Sequence, residues 1–169
     1  MSKRIDMNKI RRIHQRVHHA LRVGAALAVA AAISFPALAE LGGSVSSVEA
    51  DRAHMNATVR VNSANAYDVH EIASPSGTVV DEYVSPAGKV FAVTWKGQFM
   101  PDLQQVLGPT YFQQYSSALQ AQQKHYGHRP LNIQLPDLVV QTSGHMRHYF
   151  GRAYVPSMMP EGVKADEIR

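Results

Sequence analysis

The sequence predicts an α+β domain, in which an antiparallel β-meander sheet packs against one main amphipathic helix and C-terminal strands follow, after a cleaved signal peptide. One observation is an internal repeat with a period of eleven residues: the segments "EIASPSGTVV" from Glu71 and "EYVSPAGKVF" from Glu82 share Glu, Ser, Pro, Gly and Val in register. In each copy Pro favours the start of a type I turn and Gly accepts positive φ, which predicts two hairpins. The others are an apolar stripe over residues 109–126 and alternating apolar residues near the carboxyl end.

Residues 1–39 have the composition of a signal peptide. A basic region ends at Arg22, and an uncharged run over 23–35 leads to Pro36 and Ala37-Leu38-Ala39. That run fits the core of a signal peptide, about 7 to 15 residues, and falls short of the roughly 20 that span a bilayer. We expect cleavage after Ala39, export by the general secretory route, a periplasmic location and no stable transmembrane anchor. An uncleaved anchor, the twin-arginine route and outward secretion are the alternatives.

Cleavage would reverse the net charge of the chain. The sequence carries 17 Lys and Arg and 13 Asp and Glu; the first 39 residues hold seven of the former and one of the latter, so ten basic and twelve acidic groups remain. A domain near −2 lacks the basic surface of a nucleic-acid-binding protein. Cysteine is absent, which excludes disulfides, Cys-ligated zinc and covalently attached haem. We therefore expect no cofactor and one domain over 40–169, stabilised by its apolar core.

The elements follow in order along that domain. Ser46 and Glu49 have capping-box spacing, which predicts a short helix through about Met55, and Thr58 to Val61 alternates as a strand does. The expected meander has strands at 67–73, 78–84 and 89–96. A short helix begins near Met100 and ends at Gly108-Pro109, and the main helix stops at Gly127. Strands are predicted at 131–135, 138–142 and 145–155, with a turn at Ser143-Gly144, and we expect them to form a second sheet pair. The core covers about 46–156, and 157–169 is expected to fray.

The bulged hairpins fix which strand residues share a face. One face, expected to be the core, carries Tyr67, Val69, Val79, Tyr83, Phe91, Val93 and Trp95. The other carries Ile72, Val80, Val84, Val90 and Ala92, with His70 directly opposite Glu82. A register shifted by one residue would place His70 opposite Asp81 instead.

Three kinds of site are candidates. His70 and Glu82 form a candidate acid–base pair, but no nucleophile motif accompanies them, so a cross-strand structural pair explains them better than catalysis. Metal binding is suggested by two equally spaced pairs, His125 with His128 and His145 with His148. On a strand, however, residues three apart point to opposite faces, and no acidic ligand flanks either pair. Binding of a partner is suggested by the residue types at Arg147, Tyr149 and Arg152.

A family resemblance covers nearly the whole expected mature chain. It rests on "VHEI" at 69–72, "EYVSPAGKVFAVTWKG" at 82–97, "MPDL" at 100–103, "LVVQTSGHMR" at 138–147, "GRAYVP" at 151–156 and the terminal "DEIR". In this order the motifs resemble an exported bacterial family catalogued as domain of unknown function 2844. The resemblance implies export and a single domain, and it brings no activity or functional residue.

By elimination, the sequence favours a non-catalytic binding or envelope-assembly module, with an envelope protein or a small ligand as its partner. A periplasmic hydrolase or metal-binding protein using His70 and Glu82, or the paired histidines, is the alternative. The sequence leaves the oligomeric state open.

Overall fold

A computed structural model of the protein describes residues 40–122 and 130–169. Within them two helices, seven strands and a 3₁₀ turn follow one another, which confirms the α+β class. The order is α1 (Val45–His54), β1 (Thr58–Ser63), β2 (Asp68–Ala73), β3 (Val79–Val84), β4 (Val90–Gly97), α2 (Leu103–Gln122), β5 (Leu131–Leu135), β6 (Leu138–His145), β7 (His148–Tyr154) and the 3₁₀ turn Pro156–Met158. The expected signal peptide, the helix stop at Gly127, His125 and His128 lie outside the described residues.

Both Ser-Pro-x-Gly segments form the predicted hairpin turns. The Ser74 amide donates to the Thr78 carbonyl at 2.9 Å and the Gly77 amide to the Ser74 carbonyl at 3.0 Å. The second turn repeats these bonds between Ser85 and Lys89, with Gly88 in the place of Gly77. Gly77 and Gly88 have φ of 84° and 72°, values at which a Cβ would be strained. The turn residues therefore set the register of the meander.

All seven described strands form one antiparallel sheet in the order β1-β2-β3-β4-β7-β6-β5. The sequence predicted the C-terminal strands as a second sheet pair; instead Ala92–Gly97 of β4 pairs with Tyr149–Tyr154 of β7. The chain crosses from β4 to the far edge through α2 and then returns strand by strand. This arrangement places β4 and β7 at the centre of the sheet and β1 and β5 at its edges.

The two faces of the sheet divide differently from the prediction. A break in register between Tyr83 and Val84 places a bulge at Phe91 in β4, and side chains beyond it change sides. Val93 and Trp95 therefore join Ile72, Val80 and Val84 in the larger buried cluster. This helix-covered face, which includes Glu82, packs against Val48 of α1 and Val106, Leu107 and Tyr115 of α2. Tyr83, Phe91 and Ala92 belong to a second cluster on what we call the outer face.

The helices follow the sequence in outline. α1 begins at Val45, and Ser44 at its N-cap makes no side-chain capping bond. The predicted capping box is absent. Glu49 forms an ion pair with Arg52, with 2.7 Å between Oε2 and Nε, instead of accepting a hydrogen bond from the backbone amide of the N-cap residue. α2 is interrupted at Gly108, where φ is 69° and ψ 165°, and Pro109 starts its longer part, as predicted. Its predicted stripe faces the core: Tyr115 is buried, and Tyr111, Phe112, Ala118 and Leu119 pack against the cluster.

The β6–β7 turn lies three residues beyond its predicted position. β6 continues through Ser143 and Gly144 to His145, and Met146 and Arg147 form a two-residue turn. Arg147, the second residue of this turn, takes positive φ, 63°, which is uncommon for a residue other than glycine. Gly144 serves instead as a point of close approach, because a Cβ there would lie 2.5 Å from the His148 carbonyl oxygen.

Residues 156–169, the C-terminal segment, lie across the outer face, in contrast to the expected frayed end. Ile168 is fully buried among Tyr83, Phe91 and Ala92. The Tyr83 hydroxyl donates to the Arg169 carbonyl at 2.8 Å, and Arg152 donates through Nη1 to the Ala165 and Ile168 carbonyls at 2.6 and 3.0 Å. Polar composition predicted solvation here, but one apolar anchor and these hydrogen bonds hold the segment in place.

We predict that Ile168→Ala lowers the free energy of unfolding by about 2–4 kcal/mol, because it removes a fully buried side chain. Asp166→Ala, in the same segment and exposed, is the control and should change stability by less than about 0.5 kcal/mol. Urea denaturation of both variants measures the difference. Equal stability of the two variants would mean that the segment does not pack on the sheet.

Candidate functional site

A row of polar side chains crosses the outer face, with one residue from each described strand. Cross-strand neighbours follow one another directly: Arg60, Glu71, Asp81, Thr94, Arg152, Gln141 and Asn132, from β1 to β5 in sheet order. Directly opposed residues on neighbouring strands share a face and lie about 5 Å apart. We call this set the polar row.

Hydrogen bonds connect much of the polar row. Arg152 donates through Nε to Gln141 Oε1 at 2.7 Å, and Gln141 donates through Nε2 to Asn132 Oδ1 at 3.3 Å. Thr94 donates to Asp81 Oδ2 at 3.5 Å. Because Arg152 also holds the C-terminal segment, its guanidinium joins the floor of the outer face to the chain that covers part of it. The planar groups are thereby held in fixed orientations.

A cavity of about 590 Å³ lies above the part of the polar row that runs from Asp81 to Asn132. Its lining consists of four short segments, 94–96 of β4, 150–152 of β7, 141–143 of β6 and 130–132 at the start of β5, together with Asp81, Ile168 and Arg169. Its volume is within the range of small-molecule sites, about 300–1,000 Å³. Phe150, which is 54% exposed, supplies apolar surface beside the polar floor. Such a cavity offers hydrogen-bond donors, acceptors and apolar contact together.

The charged groups of the cavity have both signs. Burial raises the pKa of Asp81, while the nearby Lys96 ammonium and the Thr94 hydroxyl act in the opposite direction. Lys96, Arg152 and Arg169 supply positive charge around this carboxylate. Glu71, the neighbour of Asp81 in the polar row, adds a second negative charge, which also raises the pKa of Asp81. The excess of cations over anions favours ligands that carry acceptor oxygens.

His70 and Glu82 face each other in the predicted register, without the alternative slip toward Asp81. They lie on the helix-covered face, where Glu82 is fully buried, and neither residue lines the 590 Å³ cavity. Across the interface with α1, the Glu82 carboxyl meets that of Asp51, which is also fully buried. Gln105 of α2 donates through Nε2 to Asp51 Oδ1 at 2.5 Å. Glu82, Asp51 and Gln105 thus form a polar cluster inside the core, which we call the buried acid cluster.

Burial raises the pKa of Glu82 well above its ordinary value, and the neighbouring Asp51 carboxyl raises it further through charge and hydrogen bonding. Two carboxyl groups in such a place favour sharing one proton, since two negative charges would repel each other away from water. A proton held by Glu82 removes that repulsion. The cluster joins β3, α1 and α2, which gives it a structural role.

The structure separates the three residues predicted for binding. Arg147 is exposed in the β6–β7 turn, Tyr149 points toward the helix-covered face next to Gly144, and Arg152 lies in the polar row. Only Arg152 of the three lines the cavity. Alternation along β7 explains this separation, because residues 149 and 152 have opposite parity.

The histidines are arranged differently from the prediction. His145 and His148 do not point to opposite faces, because the two-residue turn between them makes them a directly opposed pair with ring centroids 5.5 Å apart. In residues 40–122 and 130–169, no three His, Asp or Glu side chains cluster closely enough to hold a metal ion. Of the four predicted metal candidates, the structure describes these two and brings them together.

Sequence reasoning missed both the polar row and the buried acid cluster. The row leaves only a partial trace in the sequence. Thr94 and Arg152 are polar residues with apolar or glycine neighbours, but Asp81 and Gln141 are each followed by another polar residue. Their alignment depends on strand order, which local patterns do not contain. Asp51 gives even less signal, because it resembles any acidic residue on a short surface helix.

We predict that the raised pKa of Glu82 makes the protein less stable as pH rises. The unfolded chain ionises near the ordinary Glu value, about 4.3, and the folded chain at a higher pH, so stability is greatest below the former and falls as pH rises toward the latter. Glu82→Gln should remove most of this fall and be the more stable form at pH 8. Urea midpoints between pH 4 and 9 measure it.

Glu161→Gln is the matched control for that series, because Glu161 is exposed in the C-terminal segment. Its profile should follow that of the unsubstituted protein. A Glu82→Gln profile that declines with pH as steeply as the control would contradict the proton-bearing role of Glu82.

No curated protein and no solved structure matches the chain. None of the described helices has the length and apolarity to cross a membrane. One family model does match, described as "Protein of unknown function (DUF2844)", and it covers residues 37–168. This match spans the sheet, both helices and nearly all of the C-terminal segment, so the chain belongs to the DUF2844 family.

Proposed function

We propose that the protein is an exported, periplasmic binding protein that holds a small ligand in the cavity over the polar row and does not transform it. The observation that carries the proposal is the cavity itself, about 590 Å³ in volume, with a hydrogen-bonded polar floor and apolar walls. Sites of this composition are the usual places where proteins bind small molecules.

The polar floor suggests the chemistry of the ligand. Asn132 and Gln141 carry both donors and acceptors, and the Lys96 ammonium supplies further donors at the rim. Hydroxyl and amide groups, which also donate and accept, match such a floor. The exposed ring of Phe150 provides flat surface for the apolar part of the same molecule. We therefore favour a hydroxyl- or amide-rich compound with an apolar side.

A non-catalytic role is supported by the location of the titratable groups. The candidate acid–base pair, His70 and Glu82, lies on the opposite side of the sheet from the cavity. Arg152, the cation at the cavity floor, is held by Gln141 and by two carbonyl groups of the C-terminal segment. Fixed groups of this kind orient a ligand, whereas hydrolysis needs a nucleophile or activated water in addition.

We predict that Asn132→Phe abolishes binding of the ligand, because the larger side chain fills the cavity from β5. Gln134→Phe is the matched control: residue 134 is exposed on the same strand and face, two positions away, and does not line the cavity. Both variants and the unsubstituted protein are purified from envelope extracts, and bound small molecules are identified by mass spectrometry. Thermal shift measurements with the identified compound then compare the three proteins.

The expected result is a compound that accompanies the unsubstituted protein and the Gln134→Phe variant but not the Asn132→Phe variant. Retention by Asn132→Phe would refute the assignment of the cavity. Capture of a protein partner that Asn132→Phe still binds, with no small molecule, would identify an assembly role instead.

Export gives a separate prediction. Because signal peptidase requires small residues at both positions flanking the middle one of Ala37-Leu38-Ala39, Ala39→Phe should block cleavage, and Leu38→Phe should permit it. Intact mass of the protein from its native host should correspond to a chain that begins at Glu40 in the second case. An uncleaved Met1 chain in the unsubstituted protein, found in the cytosol, would contradict the export proposal.

A further inference from the structure

The tip of the β6–β7 hairpin carries two opposed imidazoles. His145 and His148 are the last cross-strand pair before the turn, both are exposed, and their ring planes are tilted by 50° at a centroid distance of 5.5 Å. The sheet register and the positive φ of Arg147 hold the two backbones in this arrangement. Neither packing in the core nor an ion pair among the described residues accounts for the pair.

The separation of the rings suits one shared metal ion. An ion bound to two imidazole nitrogens at about 2 Å holds the ring centroids roughly 5 Å apart at a tetrahedral angle and roughly 5.5 Å apart at a trigonal one. The observed 5.5 Å, which follows from the cross-strand pairing, lies within the distance that one ion can bridge. Rotation about the side-chain bonds of these exposed residues would turn one nitrogen of each ring toward the ion.

A third donor lies within the same turn. Met146, between the two histidines, is 88% exposed, which is unusual for a methionine and leaves its thioether without packing partners in the core. Thioether sulfur is a soft ligand that selects Cu(I), and imidazole also suits copper. Arg147 adds a positive charge to the turn, and a monovalent ion is repelled by it less than a divalent one.

We propose that His145 and His148 bind one Cu(I) ion at the hairpin tip, with the Met146 thioether as the third ligand. The site stands on these residues alone and does not depend on the proposed ligand of the cavity. Two imidazoles and a thioether give the tip three soft or borderline donors, and no cluster with acidic ligands forms there among residues 40–122 and 130–169.

The test is anaerobic competition for Cu(I) between the purified full chain and a chromogenic Cu(I) chelator. His145→Ala and His148→Ala should each abolish one equivalent of chelator-resistant copper, and Met146→Leu should weaken binding by about tenfold while the apolar character of the residue is kept. His54→Ala is the matched control, because His54 is an exposed histidine on α1, away from the hairpin tip. Its copper stoichiometry should equal that of the unsubstituted protein.

Loss of copper by these variants can be distinguished from loss of folding. All three tip residues are exposed, so the urea midpoints of the variants should agree with that of the unsubstituted protein. Copper retained in full by both histidine variants would overturn the proposal. So would Zn(II) binding that is as tight as Cu(I) binding and is lost in the same variants, since it would show an imidazole site without selection by sulfur. Unchanged affinity in Met146→Leu would remove the thioether from the site.

Discussion

The pairing of β4 with β7 is the constraint on which the rest of this structure depends. Each of these strands is the last member of a hairpin series, β1 to β4 on one side and β5 to β7 on the other. Their six paired positions, from Ala92 with Tyr154 to Gly97 with Tyr149, join the two series into a single sheet. Thr94 and Arg152 face each other only because of this pairing. Without it the polar row would be two short rows, and the cavity above it would have no continuous floor.

The two faces of this single sheet are covered to different extents. Asp81 and Glu82 are consecutive residues of β3 and point to opposite faces, and burial raises the pKa of both. On the helix-covered face Glu82 is enclosed completely by α1 and α2, where the Asp51 carboxyl and the Gln105 amide form the polar surroundings. On the outer face the C-terminal segment covers the parts around Tyr83 and Arg152, and Asp81 stays partly exposed. One strand thus carries a carboxyl that is enclosed in the core and another that lines the cavity.

Local sequence predicted those parts of the fold that local chemistry determines. Pro and Gly at fixed positions gave both hairpin turns, and they placed His70 opposite Glu82. Gly108 and Pro109 gave the break in the helix. The bulge at Phe91 has no such signature, since a strand residue next to an irregular pairing looks like any other apolar residue. That single inserted residue moved Val93 and Trp95 to the opposite face, and the prediction of which face carries the main core was therefore wrong.

The candidate sites show the same limit more sharply, because each depends on residues that are distant in sequence or on the position of one turn. Asp51 of α1 and Glu82 of β3 are separated along the chain by β1 and β2, and they meet only when α1 packs on the sheet. His145 and His148 are close in sequence, yet a turn placed at Ser143-Gly144 puts them on opposite faces and a turn at Met146-Arg147 puts them side by side. Gly144 misleads because glycine permits a turn, whereas here it permits contact between strands. His148 at the hairpin tip and Arg152 in the cavity floor lie on the same face of β7, about 13 Å apart. The pairing register of β6 with β7 therefore determines both candidate sites.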